Sequence, residues 1–130
     1  MSTHSRIGIE LPDTSVLSVY CHFDGYPEFN GKKLVEHFNS RDAASELIDG
    51  GDISSLWTNA GFNNEILPEV GPLYYSSRGE DLQPSHDDRV IFDTDGEEFS
   101  YIFTLNNEWI CVSNHPYDAD KNPEQVVIPA

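Results

Sequence analysis

Cys21, His22 and Asp24 fall within one short stretch, and those three side-chain types are the parts of a nucleophilic site. A Cys–His pair works only where the imidazole reaches the thiol. The surrounding residues 16–23 are β-branched and aromatic and read as a strand, on which neighbours point to opposite faces. Cys21 and His22 are therefore not expected to pair. His22 and Asp24 can share a face, where a carboxylate would fix the imidazole tautomer. The plainer alternative is a buried cysteine and an aspartate that shapes a turn with Gly25, and strand geometry favours it. His22, Asp24, His37 and Arg78 together make a candidate ligand pocket, with no cofactor expected in it.

Metal chemistry finds little support. The histidines His4, His22, His37, His86 and His115 are scattered, and neither an HExxH motif nor a CxxC pair is present. No metal site is expected. Residues 93–98 (Asp-Thr-Asp-Gly-Glu-Glu) hint at calcium. A helix-loop-helix calcium loop needs glycine sixth and glutamate twelfth, whereas here glycine comes fourth. A hairpin turn at Asp95 and Gly96 explains the segment better. Phosphate-binding glycine loops and the GxSxG elbow are also missing. Lys32, Lys33, Arg41 and Arg78 offer at most a small anion pocket.

Charge is the strongest chemical signal. The 130 residues hold 23 Asp and Glu against 7 Lys and Arg, a formal charge of −16, and the isoelectric point is near 4.3. Such a balance opposes direct binding to nucleic acid and to anionic membranes. Eight acids lie in residues 80–98: Glu80, Asp81, Asp87, Asp88, Asp93, Asp95, Glu97 and Glu98, with Arg89 the single base. Charge this dense makes either a solvated face or a docking surface for a basic patch. It could also imitate the phosphate line of DNA. Tyr26 and Phe29, in a proline-containing loop, are the candidate aromatic anchors.

The elements that would position these groups follow from periodicity. Hydrophobic residues make up 38% of the chain and aromatics 12%, enough for a packed core, and one domain is expected over residues 1–130. No apolar run approaches the roughly 18 residues of a membrane span, and no secretory signal is expected at the N-terminus. Alternation predicts strands at 6–11 and 16–23, the second facing the core through Leu17, Val19, Cys21 and Phe23. Asn30 is the expected cap of a helix ending at Phe38, and Ser40 the cap of a second helix over 41–48. Ala44, Leu47 and Ile48 face inward, and Gly50 and Gly51 stop that helix. Residues 52–57 suggest one helical turn, 58–72 an irregular loop, 73–77 a strand and 79–88 a polar loop. A meander follows, with strands at 89–93, 98–105 and 108–113. Residues 114–130 read as an extended tail, with 126–128 adding an edge strand. The two cysteines are expected as packed hydrophobes. The predicted class is α+β, a mostly antiparallel sheet of five to six strands with two short helices between the second strand and the meander.

The string Tyr20-Cys21-His22-Phe23-Asp24-Gly25-Tyr26-Pro27, followed by Gly31, Leu34 and Glu36-His37-Phe38, resembles a small family of uncharacterised bacteriophage proteins. Gly51 to Leu56, Arg78-Gly79-Glu80-Asp81 and the Trp109 hairpin extend the likeness across residues 18–113. Phe23 stands where the family carries tryptophan. The family brings no activity with it. The resemblance implies a phage source and the host cytoplasm as location. The leading expectation is then a non-enzymatic protein whose acidic, aromatic-anchored surface binds a host protein with a basic surface and modulates or inhibits it. Its contact residues would be Tyr26, Phe29, Glu80, Asp81, Asp87, Asp88, Asp95, Glu97 and Glu98. A DNA mimic that blocks a DNA-binding host protein is the second expectation. A small-ligand protein or enzyme using the His22, Asp24, His37 and Arg78 pocket is the third.

Overall fold

A computed structural model describes residues 3–63, 65–80, 82–89, 92, 97–115, 118 and 120–129. Its strands are β1 (Ser5–Glu10), β2 (Val16–Cys21), β3 (Ile53–Ala60), β4 (Ile66–Tyr74), β5 (Ser85–Asp87), β6 (Phe99–Phe103), β7 (Trp109–Ser113) and β8 (Glu124–Val126). Two helices, α1 (Lys32–His37) and α2 (Arg41–Asp49), lie between β2 and β3. The class is α+β as expected, but the sheet has eight strands instead of five or six.

The sheet runs β4-β3-β2-β1-β6-β7-β8. Most neighbours are antiparallel; β1 with β6 and β2 with β3 are parallel. β2 shares one edge between two partners. β5 covers Val16 to Ser18, and β3 takes over at Cys21. In the gap the Asp52 carboxylate accepts the Tyr20 N–H at 2.9 Å, so that backbone donor is satisfied without a strand.

Strand alternation sends Ile7, Ile9, Val19, Cys21, Tyr101, Phe103, Trp109 and Cys111 to one face, where they pack with Leu34, Ala44, Leu47 and Ile48 of the helices. The inward face of β2 is as read from the sequence except at Phe23, which lies beyond the strand and is 43% exposed. Ser40 caps α2 as expected, its Oγ accepting the Ala43 N–H at 3.1 Å. Gly51 ends it at φ +87, a left-handed conformation open to glycine at no steric cost. Asn30 is not the cap of α1. It belongs to a π-helical turn, Pro27–Gly31, and its buried Nδ2 donates to the Phe23 carbonyl at 3.2 Å instead.

Several readings change between 52 and 93: the strand expected at 73–77 ends at Tyr74 and passes into a 3-10 turn, Tyr75–Arg78, and β5 lies within the expected loop 79–88. Residues 53–57 are strand, because β3 continues the ladder of β2 and pairs with β4. The supposed loop at 58–72 is the rest of that hairpin. Pro68 and Pro72 lie in β4, which an outer strand of irregular register tolerates. Of the strand expected at 89–93, the described residues Arg89 and Phe92 are helical instead, and the Phe92 N–H donates to the Asp88 carbonyl at 3.1 Å. Phe92 packs with Val16 and Ile102 on the sheet face opposite the helices, in space that the bare Cα of Gly8 leaves open. The turn at Asp95 and Gly96 lies outside the described residues. In place of the lost strand, β6 pairs with β1. The last segment does add an edge strand, at Glu124–Val126 instead of 126–128, and Ile128 packs on the core.

Arg41 ties the helical layer to the sheet. Its guanidinium donates to the Glu10 carbonyl at 2.9 Å and the Thr104 carbonyl at 3.0 Å, and stacks 5.5 Å from the Phe103 ring centre. Replacing Arg41 by Met keeps the apolar stem and removes both charged bonds. Urea unfolding should show a loss of about 2 kcal/mol, and a loss under about 0.5 kcal/mol would mean that the clamp is idle.

Candidate functional site

The segment after β2 is held from several sides. The His22 and Phe23 N–H groups donate to the Ile53 and Ser54 carbonyls, each at 3.0 Å. The Gly25 N–H reaches the Thr3 carbonyl at 2.9 Å, and the Tyr101 hydroxyl donates to the Gly25 carbonyl at 2.6 Å. Gly25 is required here for close approach, since a Cβ would press on Ser5 and on the backbone of Thr3 and His4. Asp24 takes φ +57, a left-handed turn that aspartate tolerates better than most side chains. Tyr26 is extended ahead of Pro27, with ψ 153.

Phe23 and Asp24 sit at a cleft of about 320 Å³, lined also by Ser54, Ser55, Thr58 and Phe62. The Phe23 ring meets the His22 imidazole edge to face at 4.6 Å. Phe62 stacks near Tyr75 at 5.8 Å, and the Arg78 guanidinium lies 4.6 Å from the Phe62 ring centre. Arg78 is neutralised by Glu80, with its Nε donating at 2.7 Å.

His22, Asp24, His37 and Arg78 do not form one pocket. His22 follows β2 on the face away from the helices, whereas His37 belongs to α1 and stacks flat on Trp57 at 4.0 Å. Helix and sheet thus separate the two imidazoles. Asp24 and Arg78 meet the same cleft, Asp24 directly and Arg78 through Phe62. Among the described residues no three His, Cys, Asp or Glu side chains converge as metal ligands. Cys21 and Cys111 are free and buried. Burial pushes both thiols up to about 12, which removes the thiolate at neutral pH. Cys21 faces the core beside Asn30, away from His22, as strand geometry required.

Sequence reading missed a three-ring cluster. The Tyr20 hydroxyl lies 2.9 Å from His4 Nδ1 and 2.7 Å from His22 Nδ1, and His4 Nδ1 is also 2.8 Å from the His22 carbonyl. Only a protonated His4 Nδ1 can donate to that carbonyl, so the tyrosine hydroxyl donates to His22 Nδ1. The His22 proton then sits on Nε2. Spacing of 18 and 2 residues gave only one clue: Tyr20 and His22 must share a strand face. Burial pushes Tyr20 up to about 12, with Glu97 adding to the rise.

The acids of residues 80–98 do not make one line. Asp87 pairs with Val16 at one end of β2, while Phe99, next to Glu98, is level with Ser5 and so with Cys21 at the other end. Asp88 is exposed beyond β5, and Glu97 and Glu98 are half-buried before β6. Asp81 and Asp95 lie outside the described residues. Tyr26 is 38% exposed. Phe29 is half-buried, with Lys33 Nζ 5.8 Å from its ring centre. Phe23 is a further exposed aromatic that the sequence reading had assigned to the core.

No protein-family model, curated protein or solved structure matches this chain.

The His22 imidazole is held below its ordinary 6.5, first by burial and then by His4. A folded pKa below the unfolded one means that the unfolded chain binds the extra proton first. Stability should therefore fall as pH drops below about 6.5, the unfolded value. Proton NMR of the His22 ring should give a midpoint under 6.5, and His4→Ala should raise it. A midpoint at or above the ordinary value would refute the assignment. Ellman's reagent should leave both thiols untouched in the folded chain and titrate them in urea; a fast-reacting thiol without denaturant would contradict their burial.

Proposed function

We propose that this chain is a non-enzymatic binding protein whose partner is a protein with a basic surface. The observation that carries the reading is how the chain's own cations are spent. Arg6 donates to Ser18 at 2.9 Å, Arg41 to two backbone carbonyls, Arg78 to Glu80 and Arg89 to Glu10 at 3.3 Å. Lys33 lies over Phe29 and Trp57. The acids are disposed the other way. Glu28, Glu36, Asp42, Glu46 and Asp49 are all exposed along the helical segment.

A surface of this kind attracts a cationic partner at long range and accelerates its approach. Exposed Tyr26 and Phe23 supply the apolar contact that charge alone lacks. The buried thiols and the separation of His22 from His37 count against a nucleophilic role. The phage-like string Tyr20 to Pro27 adds the idea that the partner belongs to a bacterial host and meets the chain in the host cytoplasm, where binding would modulate or inhibit it.

Deca-arginine serves as the minimal basic partner. Its association rate with the immobilised chain should fall at least about tenfold between about 0.05 M and about 0.3 M salt. Deca-glutamate should not bind. Salt-independent association, or no association at low salt, would remove the reading.

A further inference from the structure

We infer that the cleft beside Phe23, Asp24 and Phe62 takes a single arginine side chain of the basic partner. The inference rests on the binding role proposed above and names the group that the site would recognise. Three observations point to it.

The first is size. A cleft of about 320 Å³ is at the small end of ligand sites, enough for one long side chain. The second is lining. Phe23 and Phe62 line it together with the hydroxyl-bearing residues Ser54, Ser55 and Thr58. A guanidinium is flat, stacks on aromatic rings and carries five N–H donors. Hydroxyl oxygens accept such donors. The neighbouring rings already hold one guanidinium of the chain's own, since Arg78 lies 4.6 Å from the centre of Phe62 and 5.2 Å from that of Tyr75.

The third is charge. Among the described residues, no Lys, Arg or His forms an ion pair with Asp24. All seven Lys and Arg are described, so none of them is the counterpart of this carboxylate. Among the described residues, its carboxylate accepts a hydrogen bond from the Tyr26 hydroxyl at 3.4 Å. A half-buried anion at a cleft that two phenylalanines also line attracts a cation more than an exposed one does, because water screens it less. The loop carrying Asp24 is fixed by the carbonyls of Thr3, Ile53 and Ser54 and by the Tyr101 hydroxyl. Little ordering is then left for the partner to impose.

The test uses the ¹⁵N-labelled full chain and three probes: Nα-acetyl-arginine amide, its neutral citrulline isostere, and deca-arginine. In a millimolar titration the arginine amide should shift the amide signals of Asp24, Ser55 and Gly61, and citrulline should not. Asp24→Asn keeps the left-handed turn and the bond from Tyr26, and should weaken the arginine amide at least about fivefold. Phe62→Leu, which keeps the apolar bulk, should weaken it as well. Equal shifts with citrulline, shifts centred elsewhere, or unchanged affinity in Asp24→Asn would overturn the assignment. Deca-arginine separates the two levels of the argument. If it binds while the cleft amides stay silent, the acidic surface stands and the arginine cleft falls. If it does not bind at low salt, both fall.

Discussion

β1 lies inside the sheet with its two neighbours drawn from opposite parts of the sequence. β2 follows it after a short turn, whereas β6 begins at Phe99 and joins it in parallel. Closing that ladder brings Ser5 to Phe99, a long-range contact whose cost in loop entropy only the completed core repays. Both faces depend on it. Ile7 and Ile9 point into the helical layer, and on the reverse Gly8 makes room for Phe92. The same strand's start fixes Ser5 against Gly25, and the residues before it supply the carbonyl and the imidazole that hold the loop after β2. The cleft and the three-ring cluster are thus consequences of where β1 sits.

Charge is distributed by the same construction. Arginines act as internal struts, with Arg41 joining α2 to the ends of β1 and β6 and Arg89 reaching Glu10. Hydrogen bonds from a fixed guanidinium to carbonyls are stronger than neutral ones. A chain with so few bases therefore gains most by using them for architecture. What remains outside is carboxylate, and its mutual repulsion opposes compactness. The apolar core and these struts must outweigh it.

Local signals were legible in the sequence and long-range ones were not. Ser40 as a cap, Gly51 as a stop, the inward face of α2 and the turn at Asn106 and Asn107, where Asn107 takes φ +59, are all decided by neighbours. The opposite facing of Cys21 and His22 followed from alternation alone. The β3–β4 hairpin was hidden because its prolines and glycines speak for a loop, and only pairing with β2 overrides them. Phe92 was misplaced for a similar reason: its run looks like a strand until Gly8, far away in sequence, is seen to open a seat for it. Of the candidate site, Asp24 and Tyr26 were visible as turn and anchor. Phe23 was hidden by extending the strand's alternation two residues too far, and Phe62 and His4 carried no local mark.

The two outer strands share one feature. Pro68 and Pro72 interrupt β4, whose pairing with β3 shifts register repeatedly, and three-residue β8 is bracketed by Pro123 and Pro129. Neither offers an unbroken row of N–H groups to a newcomer. An eight-stranded ladder with open ends would be a template for endless head-to-tail stacking of molecules. Prolines in β4 and the brevity of β8 make both of these margins poor templates for the addition of a further strand.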